Sequence, residues 1–398
     1  MKRFRYKPTI IIIGGVIFLL FYTNLCVKYG SRVKDKCISE YLSICYPEAP
    51  IILEFNKKYH EMGLAIIDTS FHFKEVERIS RYKYKYKWVG LIPSKNGKLY
   101  GIPNDITCVL EIDPRTGKTS TFGRLSESKH KYTGGVLAPD GMIYGLPRSA
   151  GTLLKIDPYK RTAEEISLNL PYMRDRFYSG VLYEDRIYMM PRNSHYIMVI
   201  NINDYSTYMI STPRFLSYAG CVVHPNGLIY CVPWGGKGKI MVVNPRTDDI
   251  SFIGKYDKYD GFNLIVDPIS LNIYGFLNYS GVLKIDTKTN MVEKLHEEIT
   301  PHAFYGSEMG INGRIYSTLG HGTILYEFNP ADESIKAVAI ESDGIDNAKC
   351  AGGCTDMFGN VYMVPAHGLY LYRLKFDKTV SNDSVSLEFI TSPHLGNY

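Results

Sequence analysis

The sequence predicts an all-β chain, a seven-bladed β-propeller of four-stranded antiparallel blades, carried behind one N-terminal transmembrane helix. Three observations predict it. A tyrosine-centred segment recurs seven times at near-constant spacing. Each period holds four short strand signals separated by turn signals, and 20 consecutive uncharged residues, Pro8 to Val27, lie near the N-terminus.

The apolar stretch comes first in the chain. Its dense centre, Ile10 to Tyr22, is flanked by Lys2, Arg3, Arg5 and Lys7 before it and by Lys28, Arg32, Lys34 and Lys36 after it. A helix of 20 residues rises about 30 Å, the thickness of a bilayer core. The same charged start and apolar run also fit a cleaved signal peptide, but no small-x-small site follows cleanly, which favours a retained anchor. The expected organisation is a cytoplasmic basic tail (1–7), a signal anchor (8–27), a stalk or lead-in (28–60) and the propeller (61–398) on the extracytoplasmic side, at the cell surface or in the secretory lumen. A net charge of +6, concentrated around the anchor, suits phospholipid headgroups and argues against a nucleic-acid partner. Two sequons, at Asn278 and Asn382, would then be open to N-glycosylation. Eight cysteines fit an oxidising compartment. Cys37 and Cys45 are one candidate bridge; Cys221 and Cys231 fall opposite one another if the chain turns at Pro225-Asn226-Gly227.

The repeat follows. Tyr100, Tyr144, Tyr188, Tyr230, Tyr274, Tyr316 and Tyr362 stand 42 to 46 residues apart, each in a Leu/Ile/Val-Tyr pair. Such a period marks a repeat architecture with one supersecondary unit per copy. In the second copy Gly135 to Ala138 reads as strand A, Pro139-Asp140-Gly141 as a turn and Met142 to Pro147 as strand B. Thr152 to Ile156 reads as strand C and Thr162 to Leu168 as strand D. Between C and D an Asp or Asn recurs (Asp113, Asp157, Asn201, Asn244, Asp286, Asn329), where its side chain can cap the turn backbone. That is turn chemistry and not an active site. A half-copy, Leu64 to Asp68 and Phe73 to Ile79, precedes the first full period. It either pairs against the last blade to close the ring or begins an eighth blade, and seven is the expected number.

The strings Gly135 to Gly145 and Val109 to Gly117 resemble the blades of the NHL-like, virginiamycin B lyase-like and YncE-like propeller superfamily. The resemblance covers residues 64–393 and rests on core and turn positions, so it implies fold and not activity. Kelch and WD signatures are not met: the paired glycines 134-135 and 352-353 lack kelch's later Trp, and no Trp-Asp dipeptide occurs.

In a propeller the B-to-C loops and D-to-A crossovers share one face, and function concentrates in variable loops on a repeated scaffold. The residues that break the repeat there are the candidate ligand site. Arg148 and Arg192, on successive blades, can clamp a carboxylate, phosphate or sulfate; Trp234 can stack; His321 and His367 occupy matching loops of adjacent blades. Aromatics recur at the start of strand A (Trp88, Tyr132, Tyr178, Tyr218, Tyr259, Phe304). They are either wedges between blades, which regular repetition favours, or a ligand-gripping rim, of which Trp88 and Tyr132 would be part. Two residues after the strand A glycine the copies read Ile92, Val136, Leu182 and Val222, then Asn263, Glu308 and Cys354. With Asp260, Asn263 and Glu308 are oxygen donors suited to Ca²⁺ or Mg²⁺. No catalytic motif or zinc spacing is spelled out. The expected function is therefore a binding module for a protein, peptide or glycan, with a metal-dependent hydrolase or lyase acting on a small ester or lactone as the alternative.

Overall fold

The computed structural model describes residues 71–81 and 87–378, apart from 171–173, 279–280, 300–303 and 340–348. The proposed anchor, the stalk, the segment 64–68, Cys37, Cys45 and Asn382 lie outside the described residues. No helix among the described residues is long and apolar enough to cross a membrane.

Seven four-stranded antiparallel sheets follow one another around the ring. Their innermost strands are Trp88–Pro93, Tyr132–Leu137, Phe177–Tyr183, Tyr218–Val223, Ile265–Val266, Ser307–Met309 and Cys350–Thr355. The second copy matches its sequence reading, with strands Tyr132–Leu137, Ile143–Pro147, Thr152–Asp157 and Thr162–Ser167. Burial falls outward: strand B of that blade is wholly buried, whereas its outermost strand alternates between exposed and half-buried residues. The core is thus a set of apolar layers between neighbouring blades.

Ring closure settles the half-copy. The strand Phe71–Arg81 pairs antiparallel with Tyr370–Lys378 and becomes the outer strand of the last blade. Closing the last sheet with the chain's own first strand joins the two ends of the ring and covers an open strand edge.

The recurring tyrosine has a physical reason. All seven are at most 1% exposed. The Tyr100 hydroxyl donates to the Pro158 carbonyl (3.2 Å) and that of Tyr188 to Pro245 (2.9 Å), each in the C-to-D turn of the next blade. In the last blade Arg373 takes over, donating to both Tyr362 Oη and the Pro114 carbonyl at 3.0 Å. The tyrosine therefore links neighbouring blades as well as filling the core. Tyr188→Phe is expected to lower stability by about 1 kcal/mol in urea unfolding, the net worth of one buried hydrogen bond. No change would mean that the contact adds nothing.

The turns behave as their sequence reads. Asp113, Asp157, Asn201, Asn244, Asp286 and Asn329 each accept the N–H two residues ahead. Cys221 and Cys231 are direct cross-strand partners, present as thiols and fully buried. Asn278 departs from its expected role as an exposed sequon. It is 2% exposed and its Oδ1 accepts the Phe304 N–H at 2.9 Å, so the folded chain does not present it to a glycosyltransferase.

Candidate functional site

The B-to-C loops and D-to-A crossovers meet on one face, stitched by backbone hydrogen bonds that step from blade to blade. Lys87 N–H donates to the Ala366 carbonyl, Asn104 to Lys87, Lys131 to Asn104, Arg148 to Lys131, Arg176 to Arg148 and Arg192 to Arg176. Side chains reinforce this ladder. Lys87 is 0% exposed and its Nζ donates to Gly368 O (2.9 Å) and Ala366 O (3.4 Å); Lys131, equally buried, donates to Ser128 O (3.0 Å) and Ile106 O (3.1 Å). A buried ammonium is tolerated only when its protons find acceptors, and here they tie each crossover to the preceding blade's loop. Burial pushes the Lys131 ammonium below the ordinary lysine range. The sequence carries a mark of these residues that repeat-breaking does not reveal: a cation directly precedes strand A in four blades, at Lys87, Lys131, Arg176 and Lys349.

The register of strand A against strand B decides where its first aromatic goes. Strand A carries a register shift in five blades, between Trp88 and Leu91, Tyr132 and Gly135, Phe177 and Ser179, Tyr218 and Gly220, and Cys350 and Gly353. The extra residue re-aims the side chains around it. Trp88, Tyr132, Phe177 and Tyr218 each stand opposite the proline ending strand B. Trp88 is 1% exposed, with its indole N–H on Cys108 O at 3.0 Å; Tyr132 is 0% exposed, with its hydroxyl on Thr152 and Glu165. Both are inter-blade wedges and cannot stack on a ligand, which corrects their place among the candidate rim residues. Phe177, not Tyr178, is the third blade's wedge.

Tyr178 occupies the next position along the strand. It joins Val89, Ala219, Phe262, Tyr305 and Ala351, from six blades in all, in a single apolar cluster with Trp234. Residues from six blades can meet only around the central axis, so this cluster floors the channel mouth. Its rings run in sequence. Tyr178 and Trp234 lie 7° from parallel with centroids 6.2 Å apart, Trp234 meets Phe262 at 4.2 Å, and Phe262 meets Tyr305 at 4.8 Å. Tyr305 reaches His321, its hydroxyl 3.0 Å from Nε2. Tyr178, Trp234, Tyr305 and His321 remain half-buried. The legible signal for two of them was an aromatic doublet, Phe177-Tyr178 and Phe304-Tyr305, in which the first ring wedges between blades and the second faces the mouth.

The two candidate arginines converge at the Tyr178 end, their guanidinium carbons 4.8 Å (Arg148) and 4.2 Å (Arg192) from its ring centroid. Arg148 Nε donates to Asp175 Oδ1 at 2.6 Å, while Arg192 stands 3.8 Å from Oδ2. Burial pushes the Asp175 carboxyl up, but Arg148, Arg192 and His130 outweigh it and hold the group below the usual carboxylate range. Arg148, Arg192, Trp234 and His321 are thus brought into one surface. His367 lies half-buried in the matching loop of the last blade.

The oxygen donors do not occupy equivalent positions. Ile265 stands opposite Tyr274 and Val181 opposite Tyr188, so Asn263 and Leu182 do not hold the position that Glu308 and Cys354 hold opposite Tyr316 and Tyr362. Asn263 is an inter-blade staple. Its Nδ2 donates to Ser307 O at 2.8 Å and its Oδ1 accepts Leu264 N–H. Asp260 accepts the Gly236 N–H (3.2 Å) beside the Trp234 loop and lies 3.6 Å from Lys258 Nζ. Glu308 is 1% exposed. Among the described residues no three His, Cys, Asp or Glu side chains group as a metal site.

No protein-family model and no curated protein matches this sequence. Solved structures do match in fold. A streptogramin B lyase superposes with a TM-score of 0.65 at 14% identity over 77% of this chain and 98% of its own. The virginiamycin B lyase of Staphylococcus aureus gives 0.62 at 14% identity, over 76% and 99%. The extracellular domain of a protein assigned as a one-component system in B. thetaiotaomicron gives 0.57 at 12% identity, covering 75% of this chain and 40% of that one. The chain thus shares the propeller fold of these streptogramin B and virginiamycin B lyase structures.

Proposed function

We propose that this chain is a membrane-anchored, extracytoplasmic binding module that takes its ligand on the loop face of the propeller. The observation that carries the reading is the set of half-buried groups from Arg148 and Arg192 through Tyr178 and Trp234 to Tyr305 and His321, joined beneath by the buried Phe262 ring. Flat aromatic faces beside cations, outside the inter-blade core, suit recognition better than folding. The fold shared with sensor extracellular domains supports the same placement, and the apolar stretch 8–27 supports the anchor.

Trp234→Ala in the full-length chain is expected to weaken a ligand found by glycan or protein array by about 30-fold or more, the loss of one binding hot spot. Capture that survives unchanged would sink the loop-face reading.

One observation favours a second reading, a metal-assisted lyase or hydrolase: the lyase structures match over nearly their whole length, and His321 sits at the mouth. Asp260, Glu308 and His367 would then be its further polar groups. A stoichiometric Ca²⁺ or Mg²⁺ in the purified chain, lost on Glu308→Gln, would support that reading; a stable metal-free protein would end it.

A further inference from the structure

We propose that the loop-face mouth takes an acidic saccharide, with a sugar ring lying on Trp234 and its aromatic neighbours and a carboxylate or sulfate held by Arg192. This rests on the binding reading above and names its ligand class.

The argument begins with charge. Among the described residues three guanidinium groups share the Asp175 carboxylate: Arg148 at 2.6 Å, Arg192 at 3.8 Å and Arg174 at 3.8 Å. One negative charge cannot neutralise three positive ones. Arg148 takes the short hydrogen bond, which leaves Arg192 with an ion-pair distance too long for one. Its NH1 is buried and donates to no acceptor among the described residues, while 22% of the side chain stays exposed for an anion to reach. A guanidinium fork in that condition gains most from an anion that can accept from it.

Shape supplies the second half. Tyr178 and Trp234 are stacked within 7° of parallel at 6.2 Å, and the indole of Trp234 remains half-buried, so part of its surface is open beside the arginines. At the two glycines after Trp234, Gly235 and Gly236, an added Cβ would meet nothing within 4 Å, so the loop beside the indole is open to solvent. The apolar face of a pyranose stacks on such a surface, while its acidic substituent reaches the arginine end.

The backbone argues against an extended peptide. Strand-like peptide recognition draws on free main-chain donors and acceptors. On this rim the N–H groups of Lys131, Arg148, Arg176 and Arg192 are already spent on the circumferential ladder. Recognition is left to ring faces and guanidinium edges.

The test titrates the full-length chain with a neutral disaccharide, its uronate counterpart and its sulfate ester. The two acidic sugars are expected to bind about tenfold tighter than the neutral one, the worth of a charge-assisted hydrogen bond, with the gap closing in high salt. The ratio of uronate to sulfate binding tells which anion the site prefers. Arg192→Gln should bring both acidic sugars down to the neutral level and leave neutral binding alone, with an unchanged thermal midpoint showing that the variant is folded. The neutral-against-acidic comparison on the native chain needs no variant. Equal affinity for all three sugars, or tighter binding of an acidic peptide of matched charge, overturns the proposal while Trp234-dependent capture stands. Binding that ignores both Trp234 and Arg192 overturns the loop-face reading with it.

Discussion

A chain that starts after Arg81 is expected to lose its cooperative unfolding transition or to melt at least about 10 °C lower than the full-length protein. The strand Phe71–Arg81 contributes nine registered residue pairs to the last blade. At a net worth of about 1 kcal/mol per hydrogen bond the loss is several kcal/mol, and at roughly 1.5–2 °C per kcal/mol in a domain of this size the midpoint moves by about 10 °C or more. The shortened chain also leaves Tyr370–Lys378 as an open edge, and edges without partners pair with other chains. Calorimetry with light scattering checks both effects. A monomeric, cooperatively melting product at the native midpoint would show that the ring does not depend on this closure.

The second large effect concerns Asp356, in the A-to-B turn of the last blade. Its carboxylate accepts N–H groups from Phe358 (2.8 Å) and Asn360 (2.9 Å), which favour the charged form, but it is 0% exposed and burial dominates, pushing the group up to about 6 from an ordinary 3.8. Between pH 4 and 6 the folded chain holds a proton that the unfolded chain has released. Stability from this group is therefore fully present below about pH 4 and is lost as pH rises through 6, a change on the order of 3 kcal/mol. Asp356→Asn keeps an oxygen for the same two N–H groups and cannot titrate. The difference in urea stability between variant and native chain should shift in the variant's favour by that amount from pH 4 to pH 7. A difference that stays flat with pH would show that the carboxyl titrates normally.

The blades were legible because their determinants are local. Asp157 caps its own turn, the central tyrosine marks strand B and the apolar alternation marks each strand, all within one period of the sequence. The half-copy at Phe73 to Ile79 was legible as a strand, but whether it closed the ring was not, because its partner lies some 300 residues away. At the mouth, Arg148, Arg192, Trp234 and His321 stood out as breaks in the repeat and do share a surface.

What the sequence determined by itself was the number of blades, their turns and the face on which the copies diverge, since these follow from short-range patterning. The tertiary structure decided which side chains use that face. A side chain's direction along a strand alternates with every residue, so one extra residue in a bulge exchanges inside for outside. Trp88, Tyr132 and Phe177 stand beside such a bulge as buried wedges while Tyr178, one residue on, faces the mouth, and pairing across the sheet likewise places Ile265 and not Asn263 opposite Tyr274. Counting along the chain cannot see a bulge, because its position depends on the strand it pairs with.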